Sequence, residues 1–294
     1  MNTPWGDLEV ADAHVHFFSR RFFEALARPA GKTLEELGAV LNWQLPPEDP
    51  AGLAQTWAAE LDRQGVAQAA LIASFPGDEG SVAAAAGAVP GRFWPYAMVN
   101  PLSGVPPAGG MRALCLFPAM HGYSPADPRV QPVLEQAVTL GQAIFVHCGV
   151  LTVGVRRKLG LPSPFDMRYS NPLELHAIAL RYPRTAFVLP HFGAGLFREA
   201  LMLADLCPNV YLDTSSSNSW MRYEGLDLKS VFQRALSVAG PGRLLFGTDS
   251  SFFPRGWNRA IFDEQVQVLG DMGLSFVDAA RIFGGNLRRI HSET

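Results

Sequence analysis

Four histidines and one aspartate carry the chemistry this sequence offers: His14, His16, His147, His191 and Asp249. His14 and His16 stand one residue apart in the run 8–18, which is mostly apolar and holds no Gly or Pro, the pattern of a buried strand. Alternate side chains of a strand share a face, so the two imidazoles point the same way, about 6–7 Å apart along the chain. Two imidazoles on one rigid strand can bind one metal ion; the competing reading is a pair of hydrogen-bonded core histidines. The metal reading requires further ligands from later strands. His147, His191 and Asp249 answer that requirement, because each is the first strongly polar side chain after an apolar run, at the ends of 143–147, 185–191 and 243–249. Imidazoles with one carboxylate suit Zn²⁺, and Mn²⁺, Fe²⁺ and Co²⁺ accept the same donor types. A two-metal centre needs a bridging group, and the fourth apolar run, 111–117, offers no Asp, Glu or Lys. One divalent ion is therefore expected. Asp12 precedes the pair by two residues; strand parity places it on the same face, where it would either orient an imidazole or cap backbone.

Eight apolar runs must position these residues: 8–18, 66–73, 93–99, 111–117, 143–147, 185–191, 209–213 and 243–249. Helical patterns alternate with them at 52–64, 81–89, 128–140, 172–181, 195–206, 226–239, 257–270 and 275–283, with a last turn at 286–291. The runs are short and apolar on both faces, as parallel strands covered on both sides should be. Eight such units in one α/β chain of 294 residues predict a (β/α)8 TIM barrel forming a single domain, 1–294. No Gly-x-Gly-x-x-Gly follows an early strand, which argues against an open doubly wound sheet. Two segments exceed ordinary connections. The 19–50 insertion after the first strand, with helices expected at 20–28 and 34–43, is too short to own a core and reads as a lid. A long loop at 150–171 follows the fifth strand. In such a barrel, chemistry sits at the C-terminal strand ends, where the five residues lie.

The chain is 48% hydrophobic and 17% charged, with formal net charge −3. It has no dense Lys/Arg block, so nucleic acid and anionic membranes are excluded as expected partners. No apolar run approaches the roughly 18 residues of a spanning helix, and the start lacks a secretory pattern. Cys115, Cys148 and Cys207 are distant and odd in number, which suits a cytoplasmic protein without a disulfide framework. The expected partner is a small-molecule substrate, with a homodimer left open. For a substrate carboxylate the candidates are Arg156 (in the Arg-Arg-Lys run 156–158), Arg168 and Arg255. Phe17, Phe18, Trp220, Phe252, Phe253 and Trp257 crowd the strand ends, and Phe17 and Phe253 are read as pocket walls. The serine-rich run 215–219 lacks a Gly-x-Ser-x-Gly frame and is read as a source of hydrogen bonds or caps. His121 is read as a loop residue, His176 as helix packing or surface, and His291 as solvated.

The motifs together resemble the amidohydrolase superfamily, in its amidohydrolase-related branch that includes aminocarboxymuconate-semialdehyde decarboxylase. The resemblance rests on Asp-Ala-His-Val-His at 12–16, Asp127-Pro128 followed by His147-Cys148-Gly149, and Pro190-His191-Phe192-Gly193-Ala194-Gly195. It continues through Tyr211-Leu212-Asp213-Thr214-Ser215, Phe246-Gly247-Thr248-Asp249 and Gly285-Asn286-Leu287. The chain departs from the pattern in the insertion and the 150–171 loop, which would set the substrate. The resemblance implies that His14, His16 and His147 bind the metal, that Asp249 is a further ligand or base, and that His191 is catalytic. It implies a mononuclear hydrolase that uses a metal-activated water on a small carboxylate-bearing substrate. The alternatives are a nonoxidative decarboxylase of a muconate-semialdehyde or hydroxybenzoate type acid, and a barrel that only binds a ligand.

Overall fold

All eight apolar runs become strands in the computed structural model, which describes residues 1–104, 109–163, 165–216 and 218–292. They are β1 (Val10–Phe17), β2 (Val66–Ala73), β3 (Phe93–Val99), β4 (Ala113–Leu116), β5 (Ala143–Val146), β6 (Phe187–Leu189), β7 (Val210–Asp213) and β8 (Leu244–Leu245). Each pairs in parallel with the next in sequence order. The ends of the sheet meet: Val15 bridges Ser250, Ala13 N–H donates to Phe246 O at 2.8 Å, His16 N–H to Ser250 O at 2.7 Å, and Asp249 N–H to His14 O at 3.0 Å. Closure leaves β1 and β8 without the open edges of a flat sheet and makes the expected (β/α)8 barrel.

Alternation sorts the strand residues into two clusters. Ala70, Tyr96, Met98, Ala113, Cys115 and Phe145 pack inside the barrel with Leu287 and Ile290 of the final helix, Asn286–Ser292. Leu71, Ala97, Val99, Leu114, Leu116 and Ile144 face the helices. β1 obeys the rule only in part. Ala11 and Ala13 face inward, yet Val15 and Phe17 face the helices. The pairing supplies the reason: Asp12 opposes Ala69 but Val15 opposes Leu71, three steps against two, which is a β-bulge. Two sequence expectations fall with it. Phe17 is fully buried in the helix-facing core rather than a pocket wall. Asp12 lies on the side opposite to His14 and His16, because one extra residue inverts the parity.

The insertion begins with α1 (Arg20–Ala30) and α2 (Leu34–Leu41), and α3 (Pro50–Gln64) follows it. Ser19 caps α1 and Gly31 ends it at φ 60°; a Thr33–Glu36 capping box opens α2 and Asn42 ends it at φ 54°. In α3, Leu53, Trp57 and Leu61 form the expected buried stripe, and Gly65 stops the helix at φ 74°. The insertion gathers Phe23, Leu26, Ala27, Leu37 and Leu41 into a small apolar cluster, with Val155, Leu159 and Leu161 of the loop after β5 packed against it. Insertion and loop are thus one apolar unit above the strand ends. Among the described residues, no helix is long and apolar enough to cross a membrane.

The connections after β5 and β6 touch through backbone. Val150 N–H donates to Ala194 O at 2.7 Å, and a Cβ on Gly149 (φ 71°) would collide with the main chain of Gly193 and Ala194. Gly160 has the same backbone sign, φ 68°, with open space where its Cβ would lie. Gly149→Ala is expected to cost about 2–4 kcal/mol, from collision plus backbone strain, and Gly160→Ala about 1 kcal/mol from strain alone. Equal losses for the two variants in denaturant titrations would contradict close backbone packing at Gly149.

Candidate metal centre

His14 and His16 leave β1 toward the barrel mouth with their Nε2 atoms 3.4 Å apart. Asp249 Oδ1 lies 3.7 Å from His14 Nε2 and 3.4 Å from His16 Nε2. Zinc–nitrogen and zinc–oxygen bonds of about 2.0–2.2 Å at tetrahedral angles place neighbouring donors about 3.3–3.6 Å apart, so the spacing of these three atoms fits one small cation. The far side of each imidazole is engaged. His14 Nδ1 is 2.7 Å from Asp213 Oδ2 and 3.0 Å from Ser215 Oγ, and His16 Nδ1 is 3.1 Å from Ser74 Oγ. A proton held on Nδ1 leaves the Nε2 lone pair aimed at the shared point. His147 and His191 flank the three, with ring centres 5.5 Å apart. His147 is buried against the Phe117 ring, and its buried Nδ1 has no hydrogen-bond partner among the described residues. A buried lone pair without a partner is a cost that a cation would remove.

Electrostatics favour a positive guest. Burial lowers the pKa of His14, but the charge and hydrogen bond of Asp213, helped by Asp249, outweigh it and raise the net value. Burial raises the Asp249 carboxyl, but the His16 hydrogen bond and the surrounding imidazoles hold it below the usual carboxylate range. His147 and His191 are both pushed down, first by burial and then by neighbouring imidazoles, and so are neutral. The backbone is strained here as well: His191 and Asp249 adopt left-handed conformations at φ 54° and 57°. Each such residue costs about 1–3 kcal/mol and persists only where its surroundings over-determine it. β6 and β8 are shorter than the expected 185–191 and 243–249: β6 ends at Leu189, just before the left-handed His191 and Phe192, and β8 ends at Leu245. Gly247 has no room for a side chain, since a Cβ would lie 2.6 Å from Asp213 Oδ1 and 3.0 Å from His14 Cβ.

A cleft of about 700 Å³ opens above this floor. Phe18, Phe22 and Trp43 from the insertion side line it, together with Phe117, Trp220 and Phe252 and the cations Arg156, Lys158 and Arg255. Arg255 Nη2 donates to Asp249 O at 3.0 Å and Ser251 Oγ at 2.9 Å, and its guanidinium lies 4.6 Å from the centre of the Phe252 ring. Arg156 donates through Nε to Pro162 O. Arg168 does not reach the cleft: its side chain is 82% exposed and paired with Asp166. Phe253 packs on Trp57, ring centres 4.9 Å apart, against the helix-facing core, while its neighbour Phe252 takes the cleft wall. His291, expected to be solvated, is buried, with Nε2 2.7 Å from the Tyr96 hydroxyl. Within 215–219, Ser215 Oγ joins the Nδ1 atoms of His14 and His191, at 3.0 and 2.9 Å, and Ser216 donates to Thr248 O. Ser217 lies outside the described residues.

Ser215 fits the expectation that the 215–219 run supplies hydrogen bonds, whereas no role was expected of Asp213, Ser74 or Trp43. Asp213 ends an apolar run and Ser74 follows one, so the rule that found His147 would have found both. Trp43 and Phe22 carry no local signal; the fold of the insertion brings them over the strands.

The model of the amidohydrolase family matches residues 11–290. Protein fluG of Emericella nidulans is 34% identical over 105 residues, a match covering 35% of this chain and only 12% of that protein. A solved 5-carboxyvanillate decarboxylase from Sphingomonas paucimobilis superposes with TM-score 0.62 at 18% identity, covering 97% of this chain and 99% of its own. A Pseudomonas putida protein assigned as a 2-pyrone-4,6-dicarboxylic acid hydrolase gives TM-score 0.61 at 18% identity, covering 97% and 98%. At these identities the superpositions establish the fold.

Replacing Asp213 by Asn removes the charge that outweighs burial at His14. The His14 pKa of the metal-free protein is therefore expected to fall, as read by NMR titration of the histidine rings. An unchanged or higher value would mean that Asp213 does not control this imidazole.

Proposed function

We propose, from the premise that this chain belongs to the amidohydrolase family, that it is a mononuclear metal-dependent hydrolase acting on a small carboxylate-bearing organic substrate. The observation that carries the reading is the trio of donor atoms 3.4–3.7 Å apart at the floor of a cleft lined by aromatic and cationic side chains. His14, His16 and Asp249 would hold one divalent ion, and neutral His147, which lines the same cleft, would be a further donor. Imidazole and carboxylate donors at this spacing suit Zn²⁺ first, and Mn²⁺, Fe²⁺ or Co²⁺ after it. When bound, such an ion lowers the pKa of a coordinated water toward about 7 and polarises a carbonyl. The three cysteines are buried free thiols, which supports a cytoplasmic protein.

The protein's own groups divide the remaining work. Asp249, ionised among imidazoles, accepts the proton of the attacking water. His191 is fixed through Nδ1 by Ser215. In the tautomer that accepts the Ser215 hydroxyl proton, its Nε2–H donates to the substrate oxygen as negative charge develops there. Arg255 and Arg156 hold the substrate carboxylate at the cleft wall, and the aromatic side chains take its apolar body.

A decarboxylase is the second reading. The flat aromatic walls, with Phe252 stacked on Trp43 at 4.5 Å and Phe18 on Phe22 at 4.1 Å, suit a conjugated acid as well as they suit an ester or lactone. A panel of carboxylate-bearing esters, lactones and aromatic acids in ¹⁸O-water separates the two: label in the product supports hydrolysis, and CO₂ release without label supports decarboxylation. On the active substrate, His191→Ala is expected to lose at least about 10²-fold in kcat while retaining its metal, whereas His14→Ala loses both. Equal metal loss in the two variants would make His191 an ordinary ligand.

A further inference from the structure

The Asp12 carboxylate touches neither an imidazole nor the cleft, yet four donors converge on it. Oδ1 accepts from His14 N–H at 2.8 Å and Thr248 N–H at 3.1 Å, and Oδ2 accepts from the Thr248 hydroxyl at 2.5 Å and the Trp257 indole N–H at 2.7 Å. The side chain is fully buried. Three of these donors belong to His14 itself and to Thr248, the residue immediately before Asp249. The carboxylate therefore grips both segments that bring donors to the candidate metal centre. It does so at the seam where the barrel closes, where β8 is two residues long and its continuation meets β1 through the Val15–Ser250 bridge and three backbone hydrogen bonds.

The grip extends around the loop that follows. The Thr248 and Ser250 hydroxyls are 2.6 Å apart, Ser250 Oγ accepts from Asn258 N–H at 2.8 Å, and Trp257 N–H donates to Glu60 Oε1 at 3.1 Å. Trp257 is held at its backbone by one carboxylate and at its indole by another. Asp249 sits inside this closed ring with a left-handed backbone, φ 57°, which a non-glycine residue seldom adopts. The β1 bulge makes the arrangement possible, because it sends Asp12 outward to the seam while His14 and His16 point inward.

We propose that Asp12 is a positioning residue that holds Asp249 and His14 at ligand spacing, so that cation affinity depends on a carboxylate that never meets the ion. The proposal rests on the reading of His14, His16 and Asp249 as a metal centre. Asn at position 12 is nearly isosteric but carries an N–H₂ group where one carboxylate oxygen stood, so at least one of the two Oδ2 donors, or the two backbone donors, loses its acceptor.

The test uses the purified chain and Zn²⁺ alone, competed against a chromophoric chelator, with thermal unfolding of the metal-free protein in parallel. Wild type is expected to bind one ion per chain, Asp12→Asn to bind about 10–100-fold more weakly while still folded, Thr248→Val to weaken likewise, and Thr248→Ser, which keeps the hydroxyl, to restore wild-type affinity. If Asp12→Asn binds within about twofold of wild type while its Tm falls, Asp12 is merely structural and the proposal fails. If Asp12→Asn does not fold, the Thr248 pair decides: equal affinities for Val and Ser at that position overturn the proposal. Absence of Zn²⁺ binding by wild type would instead overturn the metal reading of the centre, and this proposal with it.

Discussion

A strand at the closing seam of a barrel must divide its side chains between the interior and the helix-facing core, and β1 carries one residue too many for a simple alternation. The bulge between Asp12 and Val15 absorbs the extra residue. Before it, Val10 and Asp12 face outward; after it, Val15 and Phe17 do, and His14 and His16 are left facing the barrel mouth. The same residue insertion thus packs two large apolar side chains into the core, frees a carboxylate for the seam and turns two imidazoles toward one point. Bulges bend strands and raise local twist, and they occur at barrel rims for this reason. The shared direction of His14 and His16 and the outward turn of Asp12 both depend on that one irregularity.

The centre is built as a negative hollow with neutral walls. Asp213 and Asp249 supply the charge, one behind His14 and one beside both Nε2 atoms. Burial keeps His147 and His191 neutral, so they add lone pairs and no repulsion. Ser215, between the Nδ1 atoms of His14 and His191, ties the orientation of one ring to that of the other.

Above the floor, the insertion and the β8 loop meet through aromatic faces. Trp43 stacks on Phe252, Arg255 covers Phe252, and Arg255 donates to the carbonyl of Asp249. Gln44 N–H donates to Phe253 O at 2.9 Å, which adds a backbone tie between the same two segments. The walls of the cleft and the residue at its floor are therefore parts of one packed unit, and substrate contacts on the wall lie close to the reacting groups.

The barrel was legible in the sequence because burial on both faces leaves a strong pattern: eight short apolar runs, each followed by a helical period. His14, His16, His147, His191 and Asp249 were legible because a polar residue ending an apolar run interrupts that pattern. Applied evenly, the same rule would have added Asp213 and Ser74. Other features were out of reach. Asp12 and Phe17 were misplaced because a bulge inverts parity without altering composition. Phe252 faces the cleft in place of the expected Phe253, since neighbouring residues in a loop have no fixed period. Arg168 found a partner in Asp166 only two residues away, and His291 was drawn into the barrel floor by Tyr96. Sequence determined which side chains stand at the strand ends, because that follows from local patterning. The tertiary structure alone decided which donors meet within 4 Å and which carboxylate backs His14, because those pairings join residues 199 to 236 positions apart, which only closure of the barrel brings together.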